Sequence, residues 1–154
     1  MAIGETPITI IGNLTSDPEL RYTNTGHALA KFTVASTPRV FDRESNQWKD
    51  GTATFFRCAA WRDLAEHVAE SLTKGSRVVL SGRMRQHNWQ NEQGENRSML
   101  AVETDDIGPS LRFATATPAK VTKATGNNSG TANSGKPADG PWDTRTKYND
   151  EPPF

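Results

Sequence analysis

Two stretches of this 154-residue chain place aromatic and cationic side chains on one face of a strand. Side chains alternate between the two faces of a strand. In 53–61, Phe55, Arg57, Ala59 and Trp61 therefore share a face, and Thr54, Phe56, Cys58 and Ala60 take the other. In the next long strand Arg83, Arg85, His87 and Trp89 fall together. Arginine is seldom buried without a partner, so this second face reads as wet, and a tryptophan among arginines needs a reason. Stacking supplies one: any base can stack on an aromatic ring, at roughly 1–3 kcal/mol per base. Arginine adds phosphate contacts and cation–π attraction. Those two components are what sequence-independent binding of an unpaired strand requires. Trp48, in a loop, offers a further platform. The competing reading is a core, where most strand aromatics belong. Phe32 and Phe56 are assigned there, and shared parity with arginines sets Phe55, Trp61 and Trp89 apart. Arg43, Lys49 and Arg62 read as solvated surface charges.

Catalysis finds no comparable support. His27, His67, His87 and Cys58 are scattered, and no Cys-x-x-Cys exists for a zinc deaminase. His67 and Glu70, at i and i+3 of a helical stretch, read as a surface pair. No Ser/His/Asp constellation or phosphate-cradling loop is visible. No enzyme, metal or cofactor is expected. The single cysteine excludes an intrachain disulfide and suits a reducing cytoplasm. Facing away from the arginines, Cys58 reads as a small core residue. No signal peptide or membrane-length apolar run is present, so a cytoplasmic, nucleoid-associated location without membrane contact is expected.

The elements that must hold these faces follow from periodicity. Segments 7–14, 28–35 and 53–61 read as strands, with a short one at 20–22. Residues 36–52, with Pro38, Asn46 and Gly51, read as a long loop or hairpin. Leu64, Ala65, Val68 and Leu72 recur at helical spacing, closed by Gly75 at a C′-like position. Segments 76–89 and 97–102 return to strand around a turn at 92–95. Three strands, one helix and two strands fit an all-β OB-fold, a five-stranded Greek-key barrel with one helix. Residues 1–112 hold nearly all the Ile, Val, Leu and Phe, whereas 114–149 are mostly Thr, Ala, Asn, Gly, Ser, Pro and Lys. Such a composition cannot bury enough apolar surface to order itself. The organisation expected is a domain at 1–116, a disordered linker at 117–147 and a tip at 148–154. Eighteen basic against 18 acidic residues argue mildly against nucleic-acid binding. Yet 71–91 contain no acid at all, while holding Lys74, Arg77, Arg83 and Arg85.

The chain resembles the bacterial single-stranded DNA-binding proteins. The resemblance is carried by Ile11-Gly12-Asn13-Leu14, Asp17-Pro18-Glu19-Leu20-Arg21-Tyr22, Gly26 and Phe32-Thr33-Val34-Ala35. It continues through Leu64-Ala65-Glu66, Lys74-Gly75-Ser76-Arg77-Val78, Gly82-Arg83-Met84-Arg85 and the final Pro152-Pro153-Phe154. Residues 105–116 resemble the branch found in high-GC Gram-positive bacteria, implying an additional C-terminal strand that braces subunits. The resemblance implies stacking aromatics at Phe55, Trp61 and Trp89, and a fourth at Val40–Phe41, where Phe41 serves after a one-residue shift. It implies basic contacts at Arg21, Arg57, Arg85 and Arg97, with Lys74 and Arg77 nearby; Lys31, Arg39, Trp48 and Arg83 complete the expected DNA-binding set. Asn88 stands where the family is often basic. Also implied are a homotetramer wrapped by single-stranded DNA and a tip, Asp150, Glu151, Pro152, Pro153 and Phe154, that docks on replication, recombination and repair proteins. The tip has few acids, with Asn149 before Asp150 and with Arg145 and Lys147 upstream. The alternative is an OB-fold interaction or RNA-binding module of a replication-restart complex.

Overall fold

The computed structural model describes residues 2–122; the expected tip and all but the start of the expected linker lie outside them. In chain order the elements are β1 (Thr6–Leu14), β2 (Glu19–Tyr22), β3 (Ala28–Ser36), β4 (Arg39–Asp42), β5 (Gln47–Asp50), β6 (Thr54–Trp61), α1 (Asp63–Ser71), β7 (Arg77–Gln90) and β8 (Asn96–Pro109). Five strands pair in the order β1-β7-β8-β6-β3, and β3 pairs back onto β1, so the ring closes. All of these pairings are antiparallel except β6 with β8. This is an OB-fold, all-β with one helix. Strand β2 extends the sheet beyond β3, and β4–β5 form a separate hairpin.

Alternation decides which side chains fill the ring. Ile10 and Leu14 of β1, Phe32 and Val34 of β3, Cys58 of β6, Val78 and Leu80 of β7 and Val102 of β8 are buried together, with Phe56 packed against them. Small residues at Ala28, Ala30 and Ala60 leave room for α1, which brings Ala65 and Val68 into the same core. The helix ends before Gly75 because Leu72 turns extended (φ −111°, ψ 142°) and is buried. Gly75 (φ 86°) instead forms the turn into β7, its N–H donating to the Leu14 carbonyl at 2.8 Å. This corrects the sequence expectation: the glycine closes a turn and not the helix.

The segment 105–116 adds to the sheet only as far as Pro109, as the far end of β8. A bulge between Ser81 and Gly82 admits the extra residue, after which Ser81 faces Asp106 and Val78 faces Pro109. Residues 110–122 carry no helix or strand. Backbones approach closely at two glycines: a Cβ at Gly12 would collide with the Ala35 carbonyl, and one at Gly82 with the Glu103 carbonyl. Gly82→Ala is expected to cost about 1–3 kcal/mol, lowering the melting temperature by several degrees. An unchanged melting curve by circular dichroism would show that the bulge does not depend on this contact.

Candidate nucleic-acid interface

The outward parities of β2, β3, β6, β8 and β7 form one continuous face, and the register sets side chains in rows across it. One row runs Arg21, Leu29, Trp61. The next runs Glu19, Lys31, Ala59, Glu103, Arg83. Thr33 faces Arg57, and Ala35 faces Phe55. Further along, Arg85 faces Ala101, His87 faces Met99, and Trp89 faces Arg97. Phe55, Trp61 and Trp89 are 64%, 44% and 47% exposed, which places all three outside the core.

Ala59 is short, and a cleft of about 550 Å3 opens over it. Arg57 and Trp61 border this cleft from β6, Lys31 from β3, and Met99 and Glu103 from β8. Among the described residues neither Lys31 nor Arg57 has a carboxylate partner; the Arg57 guanidinium rests 2.8 Å from Met99 Sδ. A second depression, at the far end of the β7–β8 arm, is bordered by Trp89 and Arg97. Arg97 pairs with Glu95 at 2.8 Å and Arg21 with Glu19, both on the surface, where such pairs contribute little and exchange readily. The β4–β5 hairpin carries another aromatic pair: Phe41 faces Trp48, with ring centroids 5.5 Å apart at 64°. Its Arg39 lies 3.4 Å from Asp50.

The structure distributes the expected cations unevenly. Lys74 sits in the turn beside the cleft, its backbone N–H donating to Asp17 Oδ1 at 2.7 Å. Arg77 does not border the cleft; its guanidinium lies 5.4 Å from the Phe113 ring centroid. Arg83 is held by three carboxylates, Glu5 and Asp105 at 2.9 Å and Glu103 at 3.6 Å. Arg85 reaches Glu103 at 2.9 Å and Glu5 at 3.1 Å. The hydrogen bond from Arg83 holds the Glu5 carboxyl below the usual carboxylate range, and Glu5 and Asp105 in turn raise Arg83. Burial pushes the Cys58 thiol up to about 12, so it stays protonated and inert.

Glu5 and Glu103 are members of this face that sequence reasoning missed. Parity with Arg97 along β8 could have put Glu103 on this face, though its pairing with Arg83 depends on register; Glu5 precedes β1 and carries no such signal. Among the described residues no group of three or more His, Cys, Asp or Glu is placed to hold a metal ion, and no helix is long and apolar enough to cross a membrane.

A closed OB ring with an aromatic and cationic outer face defines a class of ligand-binding domain. The single-strand binding protein family model matches residues 6–110, and the chain belongs to that family. Its members are binding proteins, not enzymes. The chain is 50% identical to the single-stranded DNA-binding protein of Mycobacterium tuberculosis, over 98% of this chain and 99% of that one. It is 59% identical to the protein of the same name from Mycobacterium leprae, over 79% of this chain and 70% of that one. Among solved structures, a small single-stranded DNA-binding protein from Streptomyces coelicolor superposes with a TM-score of 0.61 at 33% identity, over 71% of this chain and 97% of that one.

Proposed function

We propose that this protein binds single-stranded DNA without sequence preference, stacking bases on its aromatics and holding phosphates on its arginines and lysines. The observation that carries the reading is the continuous outer face on which Phe55, Trp61 and Trp89 stand exposed among Lys31, Arg57 and Arg97. The relatives' names support it. In this reading Trp61 and Phe55 take bases on the sheet, and Lys31 and Arg57 take phosphates beside them. Trp89 and Arg97 act together at the end of the β7–β8 arm, and Phe41 and Trp48 act from the hairpin. Arg21, Arg39, Lys74 and Arg85 attract the backbone from the rim. Arg77 and Arg83 contribute from the flanks, braced by Phe113 and by carboxylates respectively. Titration with poly(dT) tests this directly. Tight binding with quenching of tryptophan fluorescence is expected, and equal affinity for duplex DNA would refute it. Trp61→Ala and Trp89→Ala should each weaken poly(dT) binding by about 5- to 150-fold, the value of one stacked base, without lowering the melting temperature. If neither changes affinity or quenching, the stacking assignment is wrong.

The same reading extends to role and assembly. The protein covers strands exposed in replication, recombination and repair, acts in the cytoplasm at the nucleoid, and works as a homotetramer. Light scattering should give a tetramer mass, and a monomer mass would remove that part of the proposal. The tip recruits partner proteins: the Phe154 ring enters an apolar pocket while its α-carboxylate pairs with a basic residue, and Asp150 and Glu151 add longer-range attraction. Deleting Asp150 to Phe154 should leave poly(dT) affinity intact and abolish capture of replication and repair proteins in a pull-down. Unchanged capture would refute the tip's role.

A further inference from the structure

We propose that Glu103 is a built-in competitor of the bound strand: it holds Arg85 in an ion pair that a DNA phosphate must displace, and so sets the affinity and salt dependence of the face. This rests on the reading of that face as a single-stranded DNA platform.

The two arginines of the cluster are not equivalent. Arg83 meets three carboxylates and its side chain is 24% exposed, so its charge is matched several times over and it clamps Glu5 to β7 and β8. Arg85 meets two and is 47% exposed, with Nε on Glu103 and Nη2 on Glu5. It is the arginine that can turn toward a ligand. Glu103 borders the cleft, and across the sheet it shares a row with Lys31, separated only by Ala59. Asp17 and Glu19 also border the cleft, but Asp17 accepts the Lys74 amide and Glu19 pairs with Arg21, toward the β2 side. The cleft therefore presents three carboxylates against two unpaired cations, Lys31 and Arg57, and Glu103 is the one of the three that holds Arg85.

A phosphate entering here gains Arg85 only when the Arg85–Glu103 contact opens. Glu103 is then left with Arg83 at 3.6 Å, and a solution cation is drawn in to match its charge. Cation uptake at Glu103 offsets the cation release that accompanies neutralising a phosphate. The ion pair thus lowers affinity and flattens the salt dependence, while keeping Arg85 aligned in the free protein.

The test is a poly(dT) titration of the full chain across a salt series. Glu103→Gln keeps the shape and an acceptor oxygen but removes the charge. It should bind roughly five-fold more tightly, the scale of one half-exposed charge contact. The slope of log affinity against log salt should steepen by up to about 0.7, the release from one phosphate. In an Arg85→Gln background the same substitution should change neither quantity, since Glu103 acts through Arg85. Unchanged or weaker binding by Glu103→Gln, or an equal gain in the Arg85→Gln background, overturns the proposal. Should Glu103→Gln fail to fold, Glu5→Gln decides: it unloads Arg85 from the other side and should shift affinity and slope in the same direction, and no shift overturns the proposal. If the unsubstituted protein does not quench with poly(dT), the underlying DNA-binding reading fails; if it does and the variants match it, this inference alone fails.

Discussion

Closure of the ring by β1, which pairs with β7 along its length and with β3 at Asn13 and Leu14, is the constraint from which the rest follows. A closed ring has one inside, and every strand must surrender alternate residues to it. Gly12 and Gly82 make that closure sterically possible, since each lets a neighbouring carbonyl approach where a Cβ would stand. The residues left over are not free to choose a side: Arg57 faces out because Phe56 and Cys58 face in. The aromatic and cationic face is thus the complement of the core, and its rows are fixed by the same ladder that holds the domain together.

That logic explains what was legible in the sequence. Parity within one strand needs no knowledge of the partner, so Phe55, Arg57 and Trp61 could be assigned to one face, and Phe32 and Phe56 to the core, from spacing alone. Register between strands is different. A turn read over 92–95 is centred between Gln93 and Gly94, whereas the structure closes the loop from Asn91 to Glu95, centred on Gln93. The Asn91 side chain accepts from the Gln93 and Glu95 amides and selects the five-residue loop. A one-residue difference moves every cross-strand partner to the opposite face. The pairing of Arg83 with Glu103 depends on that detail. So does the length of β8, which outruns its expected end because the bulge at Ser81 and Gly82 keeps the ladder in step to Pro109. The hairpin at 39–50 stayed ambiguous for a related reason: its four-residue strands bury nothing in the core, so no alternation announces them.

Zero net charge is likewise less informative than the pairing of individual groups. Arginines fall into three conditions here. Arg83 is matched by several carboxylates, Arg21 and Arg97 hold single surface partners, and Arg57 has none among the described residues. Availability to a phosphate rises along that series, because an exposed single pair exchanges at little cost and a triply bridged arginine that is three-quarters covered does not. A count of charges treats all four alike. The acid-free run at 71–91 had the same weakness: its Arg83 and Arg85 are answered by Glu5 and Glu103, from strands or segments outside the run.

The aromatics differ in how firmly they are held. Trp61 stands on β6, inside the ring's ladder, with Leu29 beside it. Trp89 stands on a part of β7 where every residue from Arg85 to Gln90 is exposed, so only the ladder with β8 and the Asn91 turn support it. Phe41 and Trp48 support each other on a two-stranded hairpin outside the ring's sheet. Two-stranded ribbons without a core are marginal on their own and open at low free-energy cost. The face therefore joins a rigid centre to two compliant arms. On the proposed reading, stacking at Trp61 needs little reorganisation, whereas stacking on the arms must first order them. In that proposal a strand of arbitrary sequence varies in its local path, and compliant arms would accommodate that variation without disturbing the ring that holds the centre in place.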